Sequence, residues 1–164
     1  MNPCYYEYLD SPIGPLLLQA DSDGLSRLAL PRQGQAVSTP SDAQRDAEYL
    51  RPYGEQLQAY FQGRLQQFTL SLNARGTPFQ RMVWQALCAI PYAQTRCYAE
   101  LAEHLGRPRA VRAVAAAIGA NPIPIVVPCH RVIGRNGTLT GYTGGLDAKR
   151  YLLNLEDPLT NRAA

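Results

Sequence analysis

The chain contains, near its C-terminal end, the stretch Asn121-Pro-Ile-Pro-Ile-Val-Val-Pro-Cys129-His-Arg-Val-Ile133, in which a constrained backbone leads directly to a reactive side chain. Prolines interrupt and then close an apolar run. Because proline cannot donate to a sheet ladder, we expect a rigid extended segment here and not a central strand. A thiol beside a histidine and an arginine is suited to nucleophilic chemistry, since the thiolate is the reactive form. The alternative is that Cys129 is a small buried residue, as free cysteines often are.

The composition is that of a soluble globular protein. The 164 residues are 46% hydrophobic and 18% charged, which suffices for one ordinary domain or two small ones. No apolar run approaches the ~20 residues that span a bilayer, and residues 1–9 lack the basic start and long apolar stretch of a secretory signal. We therefore expect a cytoplasmic location.

The cysteines and histidines do not follow the spacing of a disulfide framework or of a zinc site. No two cysteines are in a CxxC arrangement, and with only two histidines a Cys/His zinc cluster is hard to assemble. We therefore expect reduced thiols and no bound metal. We also expect no cofactor. The residues concerned are Cys4, Cys88, Cys97, Cys129, His104 and His130.

Charge is distributed unevenly along the chain. Residues 1–74 hold 5 Lys and Arg against 8 Asp and Glu, whereas residues 75–150 hold 10 against 3, and nine of those ten cations are arginine. A basic half suggests a surface for a polyanion, and arginine is suited to phosphate recognition. The alternative is an arginine-rich face that is simply solvated.

The acidic half carries the pattern of a small α+β domain. Short apolar stretches separated by turn residues predict an antiparallel meander, followed by one helix and a further strand. The predicted strands are 4–9, 15–20, 25–30 and 65–72, and the helix runs from about 42 to 61.

The stretch Asn73-Ala-Arg-Gly-Thr-Pro-Phe-Gln80 marks a domain boundary followed by a helix start. Threonine as N-cap, proline at the first helical position and glutamine three residues after the cap form a capping box. Apolar residues then recur at helical spacing as far as residue 90. We expect two domains, residues 1–74 and residues 75–164.

Two short helices, at 98–105 and 109–118, are joined by a turn that contains Gly106 and predict a helix-turn-helix. The motif alone is weak evidence, because many helical hairpins bind nothing. The second helix is rich in alanine, and Arg109 and Arg112 are its only charges. Such a helix can approach another helix closely, or a groove of DNA where an arginine fills the gap left by a flipped base. A final helix is expected at 146–156.

Four motifs, taken in order, resemble the O6-alkylguanine-DNA alkyltransferase family over residues 77–156. The resemblance implies an α+β protein in which a small ribonuclease-H-like N-terminal domain, an antiparallel sheet plus a helix, precedes a mostly helical alkyltransferase domain of winged-helix or helix-turn-helix type. The motifs are Thr77-Pro-Phe-Gln80, Arg107-Pro-Arg-Ala-Val-Arg-Ala-Val114, Val127-Pro-Cys-His-Arg-Val132 with Asn121-Pro122 before it, and Gly141-Tyr-Thr-Gly-Gly-Leu146.

The resemblance implies DNA repair by irreversible, stoichiometric transfer of an alkyl group from guanine O6 to the protein's own cysteine, Cys129. His130 would take the thiol proton, directly or through a water, and Glu156 would orient the imidazole, as in Cys-His triads generally. Tyr98 would donate to the guanine as it leaves. The expected partner is double-stranded DNA with alkylated bases, O4-alkylthymine is a further expected substrate, and we expect a monomer. Cooperative binding along DNA stays open.

The resemblance also implies the residues that hold DNA and the base. Arg112 would replace the flipped nucleotide, and Asn121 would hold the turn between the second helix and the cysteine segment. Tyr142 and Thr143 would line the base pocket, and Lys149 would help bind the loop beside it. The remaining expected DNA contacts are Arg109, Ala113, Ala110 and Thr95.

Three other interpretations compete with transfer. Alkyltransferase-like proteins bind lesions without repairing them, but they have another residue where Cys129 stands. A regulator that uses only the helix-turn-helix would leave the Cys-His-Glu set idle. A thiol hydrolase could use the same set, but it would leave Arg112 and the basic helix without a role, and it would turn over more than once.

Overall fold

The computed structural model describes residues 2–159 and divides into two compact units, Met1–Arg75 and Gly76–Ala164. Each unit is built around its own apolar side chains. Within residues 2–159, no helix combines the length and the apolar character that crossing a bilayer requires.

The first unit is a four-stranded mixed sheet with one helix. Strands β1 (Tyr5–Leu9), β2 (Leu16–Asp21) and β3 (Gly24–Ala29) form the predicted antiparallel meander. Every residue of β2 is buried, so that this strand lies at the centre of the unit. A fourth strand, β4 (Gln44–Arg45), pairs in parallel with β1.

Strand β4 lies where the sequence predicted a helix. Helix α1 (Ala47–Phe61) begins later than expected, because Asp46 is its N-cap and accepts a hydrogen bond from the Tyr49 amide. The residues before the cap bond to the sheet instead, and the Gln44 amide donates to the carbonyl of Cys4 at 2.9 Å. The predicted start of this helix, at about residue 42, was therefore wrong, and the helix begins at Ala47.

The strand predicted at 65–72 is also wrong. Only an isolated bridge joins Leu72 to Leu25, through hydrogen bonds on either side of Leu25 at 2.9 and 2.7 Å. This close approach requires Gly24, since a Cβ there would lie 2.4 Å from the carbonyl oxygen of Ser71, at a φ of +133° that favours glycine. The chain is thus fastened to the edge of the sheet at one point and not along a ladder.

The second unit begins with helix α2 (Pro78–Cys88), which starts as predicted. The Thr77 hydroxyl accepts from the Gln80 amide at 3.1 Å, and the Gln80 side chain accepts from the Thr77 amide at 3.0 Å. Trp84 belongs to the core, and its indole donates to the carbonyl of Ala117 at 2.8 Å. This bond fastens α2 to the second helix of the helix-turn-helix.

The helix-turn-helix consists of α3 (Tyr98–His104) and α4 (Val111–Gly119), preceded by strand β5 (Arg96–Cys97). Helix α4 begins two residues later than predicted, because the Ala110 amide closes a turn onto the carbonyl of Arg107 at 2.9 Å. Arg109 and Ala110 therefore lie in the turn, and Ala110 is the cap residue of α4.

The segment before Cys129 is a compact turn, so the prediction of a rigid extended segment was wrong. The Val127 amide donates back to the carbonyl of Ile123 at 2.9 Å, and Ile125 has a φ of +75°. The side chain of Asn121 bonds both sides of the turn, donating to the Val127 carbonyl and accepting from the Ile123 amide, each at 2.9 Å. A side-chain amide thus replaces the ladder partners that an extended segment would need.

Strand β6 (Val132–Ile133) follows Cys129–Arg131 and pairs in parallel with β5. Helix α5 (Leu146–Glu156) has the bounds that the sequence predicted. Since β5 leads directly into α3, the strand pair links the start of the helix-turn-helix to the residues that follow Cys129.

Candidate active site

Cys129 lies in a single 3-10 turn, Cys129–Arg131, and only 5% of its surface is exposed. Burial raises the pKa of the Cys129 thiol to about 11, although a hydrogen bond from the Asn121 side chain and the positive charge of Lys149 act in the opposite direction. The thiolate is disfavoured because a buried charge loses its hydration. At rest the thiol is therefore protonated and needs a base before it can act as a nucleophile.

His130 is fully buried, and its Nε2 atom lies 2.6 Å from Oε2 of Glu156. The same carboxylate accepts from Nε of Arg131 at 2.7 Å and from Nη2 of Arg131 at 3.1 Å. A carboxylate held by an arginine in this two-pronged way is ionised and can only accept hydrogen bonds. The imidazole must then carry its proton on Nε2, which leaves the lone pair on Nδ1.

The His130 imidazole is suited to act as a base. Burial lowers the pKa of His130, Glu156 raises it in part, and the charges of Arg131 and Lys149 lower it further. The ring is therefore neutral near neutral pH. Among residues 2–159 its buried Nδ1 atom has no hydrogen-bond partner, so the lone pair is available to a proton from the neighbouring thiol.

Tyr98 and Lys149 meet at a residue that the sequence did not single out, Thr140. The Tyr98 hydroxyl lies 3.0 Å from Oγ1 of Thr140, and Nζ of Lys149 donates to the carbonyl of Thr140 at 2.8 Å. Lys149 is buried, which lowers its pKa, while Cys129 raises it. One threonine thus connects the first residue of α3, the glycine-rich loop and the last helix.

The hydroxyl of Tyr142 is buried near Cys129 and Glu156. This hydroxyl has no hydrogen-bond partner within the described part of the chain. Burial raises the pKa of Tyr142 well above its usual value, and charge on Cys129 or Glu156 raises it further. Thr143 is half-buried beside it. Of the predicted pocket residues in this loop, the structure thus brings Tyr142 close to Cys129 and Glu156.

The predicted DNA-binding residues are mostly exposed. Arg112 and Ala113 lie on the exposed side of α4, whose opposite side buries Val114 and Ile118. The others lie outside the helix: Arg109 is exposed and Ala110 half-buried in the preceding turn, and Thr95 is exposed just before β5.

Arg131 belongs to the site, although the sequence assigned no role to it beyond its position next to Cys129 and His130. Besides its two bonds to Glu156, its Nη1 atom donates to the carbonyl of Ile90 at 2.8 Å, and its guanidinium carbon lies 5.7 Å from the centre of the Tyr92 ring. The available signal was its position directly after Cys-His. Thr140 gave no comparable signal, since a threonine in a polar loop is unremarkable in any sequence.

Comparison with known proteins relates both units to one family. The ribonuclease-like domain of 6-O-methylguanine DNA methyltransferase matches residues 4–74, and the DNA-binding domain of the same family matches residues 78–158. A methylated-DNA–protein-cysteine methyltransferase of Methanosarcina barkeri is 48% identical over 153 residues, which cover 93% of this chain and 97% of the relative.

Solved structures from Mycobacterium tuberculosis are similar along almost the whole chain. The O6-methylguanine methyltransferase of that organism superposes with a TM-score of 0.87 at 46% identity, covering 98% of this chain and 95% of the other. A second structure, of OGT from the same organism in complex with DNA, has a TM-score of 0.87 at 46% identity and covers 96% and 94% of the two chains.

Proposed function

Since the chain belongs to the 6-O-methylguanine DNA methyltransferase family, we propose that it repairs DNA by transferring the alkyl group of O6-alkylguanine to its own Cys129. The activity is that of a methylated-DNA–protein-cysteine methyltransferase. It needs no cofactor, because DNA supplies the alkyl group and the thiol accepts it. Each chain acts once, since the thioether that forms has no good leaving group.

The observation that carries this proposal is that Cys129, His130 and Glu156 are all buried and that the imidazole of His130 contacts Glu156. The thiol proton passes to Nδ1 of His130, the sulfur forms a bond to the alkyl carbon, and the bond between that carbon and guanine O6 breaks. The contact of 2.6 Å between His130 and Glu156 supports this role, because it fixes the tautomer that can accept the proton. General-base catalysis of this kind contributes about 10²–10⁴ in rate.

Tyr98 donates a proton or a hydrogen bond to the guanine as it leaves, which reduces the charge that develops on the base. Asn121 holds the turn that carries the cysteine, Tyr142 and Thr143 line the pocket of the flipped base, and Lys149 fastens the loop through Thr140. The bond from Lys149 to the Thr140 carbonyl supports this arrangement.

Residues 75–164 form the DNA-binding and catalytic domain of this proposal, and residues 1–74 form the ribonuclease-H-like domain. The alanine-rich helix approaches the minor groove, and Arg112 occupies the gap that the flipped nucleotide leaves in the duplex. Binding of DNA by a similar protein supports this assignment. The further DNA contacts are Arg109, Ala110, Ala113 and Thr95.

We further propose a second substrate, a monomeric state and a cytoplasmic location. O4-alkylthymine is a second substrate, because its alkyl group also lies on an exocyclic oxygen. The protein acts as a monomer on double-stranded DNA, and it acts in the cytoplasm, where its substrate is accessible.

The decisive experiment is a stoichiometric transfer assay. Protein is mixed with an excess of duplex DNA that contains O6-methylguanine, and intact and peptide mass spectrometry then locate any added group. We expect one methyl group per chain, on the peptide with Cys129, and no further turnover. Cys129→Ser should bind the same DNA without any mass change, whereas Cys88→Ser, in an exposed cysteine outside the site, should react like the parent protein.

Three outcomes would contradict the proposal. Transfer by Cys129→Ser would exclude this cysteine as the acceptor. Binding without any mass change would leave a protein that recognises lesions and does not repair them. Repeated turnover without modification would indicate a thiol hydrolase.

A further inference from the structure

Arg131 is the cation that bonds directly to Glu156, the carboxylate that contacts the proposed base His130. Its guanidinium holds both oxygens of Glu156, at 2.7 and 3.1 Å, and one of these oxygens is the atom that contacts His130. Only 7% of the Arg131 surface is exposed. The carbonyl of Ile90 and the ring of Tyr92 fix the far side of the guanidinium. The orientation of Arg131 is thus determined from several directions.

We propose that Arg131 is a positioning residue of the transfer reaction, which keeps Glu156 ionised and thereby keeps the Nδ1 atom of His130 free to accept the thiol proton. This inference rests on the proposed transfer to Cys129. Arg131 acts through Glu156 and His130, since its guanidinium donates to Glu156 and to the carbonyl of Ile90.

The His130–Glu156 pair can gain one further proton, either on the carboxylate or on the imidazole. A carboxylate buried without a cation takes up a proton, because burial disfavours the charged form. A protonated Glu156 would donate to Nε2 of His130, and the ring would then carry its own proton on Nδ1. If the imidazole took up the proton instead, Nδ1 would again be protonated. In either state of this coupled pair the base is lost.

The positive charge of Arg131 opposes this uptake in both forms. Of the charged and titratable groups around His130, Glu156 favours the added proton, while Arg131 and Lys149 disfavour it. Cys129 and Tyr142 are both uncharged at neutral pH, because burial raises the pKa of each. Among residues 2–159, Arg131 and Lys149 are the cations that oppose this proton, so removing Arg131 should let the pair gain it at a higher pH.

The test measures the single-turnover rate of methyl transfer against pH, with protein in saturating excess over duplex DNA that contains O6-methylguanine. The variants are Arg131→Gln, which removes the charge, and Arg131→Lys, which keeps it. Arg150→Gln is the matched control, since Arg150 is an exposed arginine that pairs with Asp147 at 3.1 Å on α5. Transfer by the parent protein establishes the proposed function independently of any Arg131 variant.

We expect the acid limb of the rate profile to move up by about one pH unit or more in Arg131→Gln, as for loss of a charge within a few ångströms. On the acid limb itself the rate at a given pH should fall about tenfold, because each unit of pKa is a factor of ten in the amount of free base. Arg131→Lys should keep the acid limb close to that of the parent even if its rate or melting temperature is lower. Arg150→Gln should change neither. An equal loss of rate at every pH in Arg131→Gln would show a merely structural role and overturn the proposal.

Should Arg131→Gln fail to fold, the imidazole nitrogen NMR spectrum decides the question in the parent protein and in Arg131→Lys. With only two histidines in the chain, the His130 signals can be assigned by comparison with a His104→Gln variant. Unprotonated Nδ1 and protonated Nε2 near neutral pH, in both proteins, are the expected result. A proton on Nδ1 of the parent protein would overturn the proposal.

Discussion

The resting Cys129 thiol should be protonated and poorly reactive, contrary to the common expectation for a nucleophilic cysteine. The perturbation is a pH titration of the DNA-free protein, compared with the chain unfolded in urea. Burial raises the pKa of Cys129 from 9.0 to about 11, because the buried sulfur cannot be hydrated as an anion. At pH 7 about one thiol in ten thousand is then ionised, roughly a hundredfold fewer than in an unfolded chain.

The same difference affects stability, and its sign follows from the direction of the shift. Folding favours the protonated thiol, so this contribution is fully present below about pH 9 and is lost as the pH rises toward 11. The loss should approach about 2.7 kcal/mol. Cys129→Ser lacks the titrating group, so urea denaturation of the two proteins over this range isolates the contribution of Cys129.

Pulse alkylation with iodoacetamide, followed by peptide mass spectrometry, measures the thiolate directly. Limited access to the buried sulfur lowers the rate at every pH, but it does not move the midpoint of the profile. We expect the rate at Cys129 to rise about tenfold per pH unit through pH 7 to 10, with a midpoint near 11. A midpoint below 9, or the fastest reaction of all four cysteines at neutral pH, would refute the argument from burial.

Three further predictions concern the rest of the site. Arg112→Ala should slow repair in duplex DNA far more than reaction with free O6-benzylguanine, which needs no base flipping, and equal losses would contradict the proposed role. Glu156→Gln should lower the free energy of unfolding by about 3–5 kcal/mol, because Arg131 then stays buried without its anion. Urea denaturation measures this loss, and a loss below about 1 kcal/mol would mean that the pair is not buried in solution. Thr140→Ala and Tyr98→Phe, combined in a double-mutant cycle, should show a coupling of about 0.5 kcal/mol in stability, and additive effects would exclude their hydrogen bond.

The sequence predicted the family and the α+β class, and both predictions are confirmed. Elements with a complete local signal were predicted well, as at Thr77, where cap, proline and glutamine lie within four residues. Strand β4 could not be predicted, because two polar residues have no periodicity and their partner lies on β1. The turn at Ile125 was missed since proline alone indicates extended chain, and the stabilising bonds come from the Asn121 side chain.

The candidate site shows the same division. Cys129 and His130 are neighbours in the chain, so the pair can be recognised from the sequence alone. The contacts that set the chemistry are remote: Arg131 meets Glu156 across 25 residues, and Tyr98 meets Thr140 across 42. Neither distance leaves a pattern in the sequence. The roles assigned to the individual residues remain predictions for the experiments above.

The short parallel pair of β5 and β6 also constrains the order in which the chain can fold. Its strands lie roughly 35 residues apart in the chain, and closing a loop of that length costs about 3 kcal/mol of entropy. Two residue pairs cannot offset this cost alone, so the intervening helices must first pack and bring the strand ends together. The helix-turn-helix lies inside this loop, between β5 and Cys129. A chain should therefore acquire its DNA-binding element before its nucleophile is held in place, and a nascent or partly unfolded protein would not present an assembled thiol site.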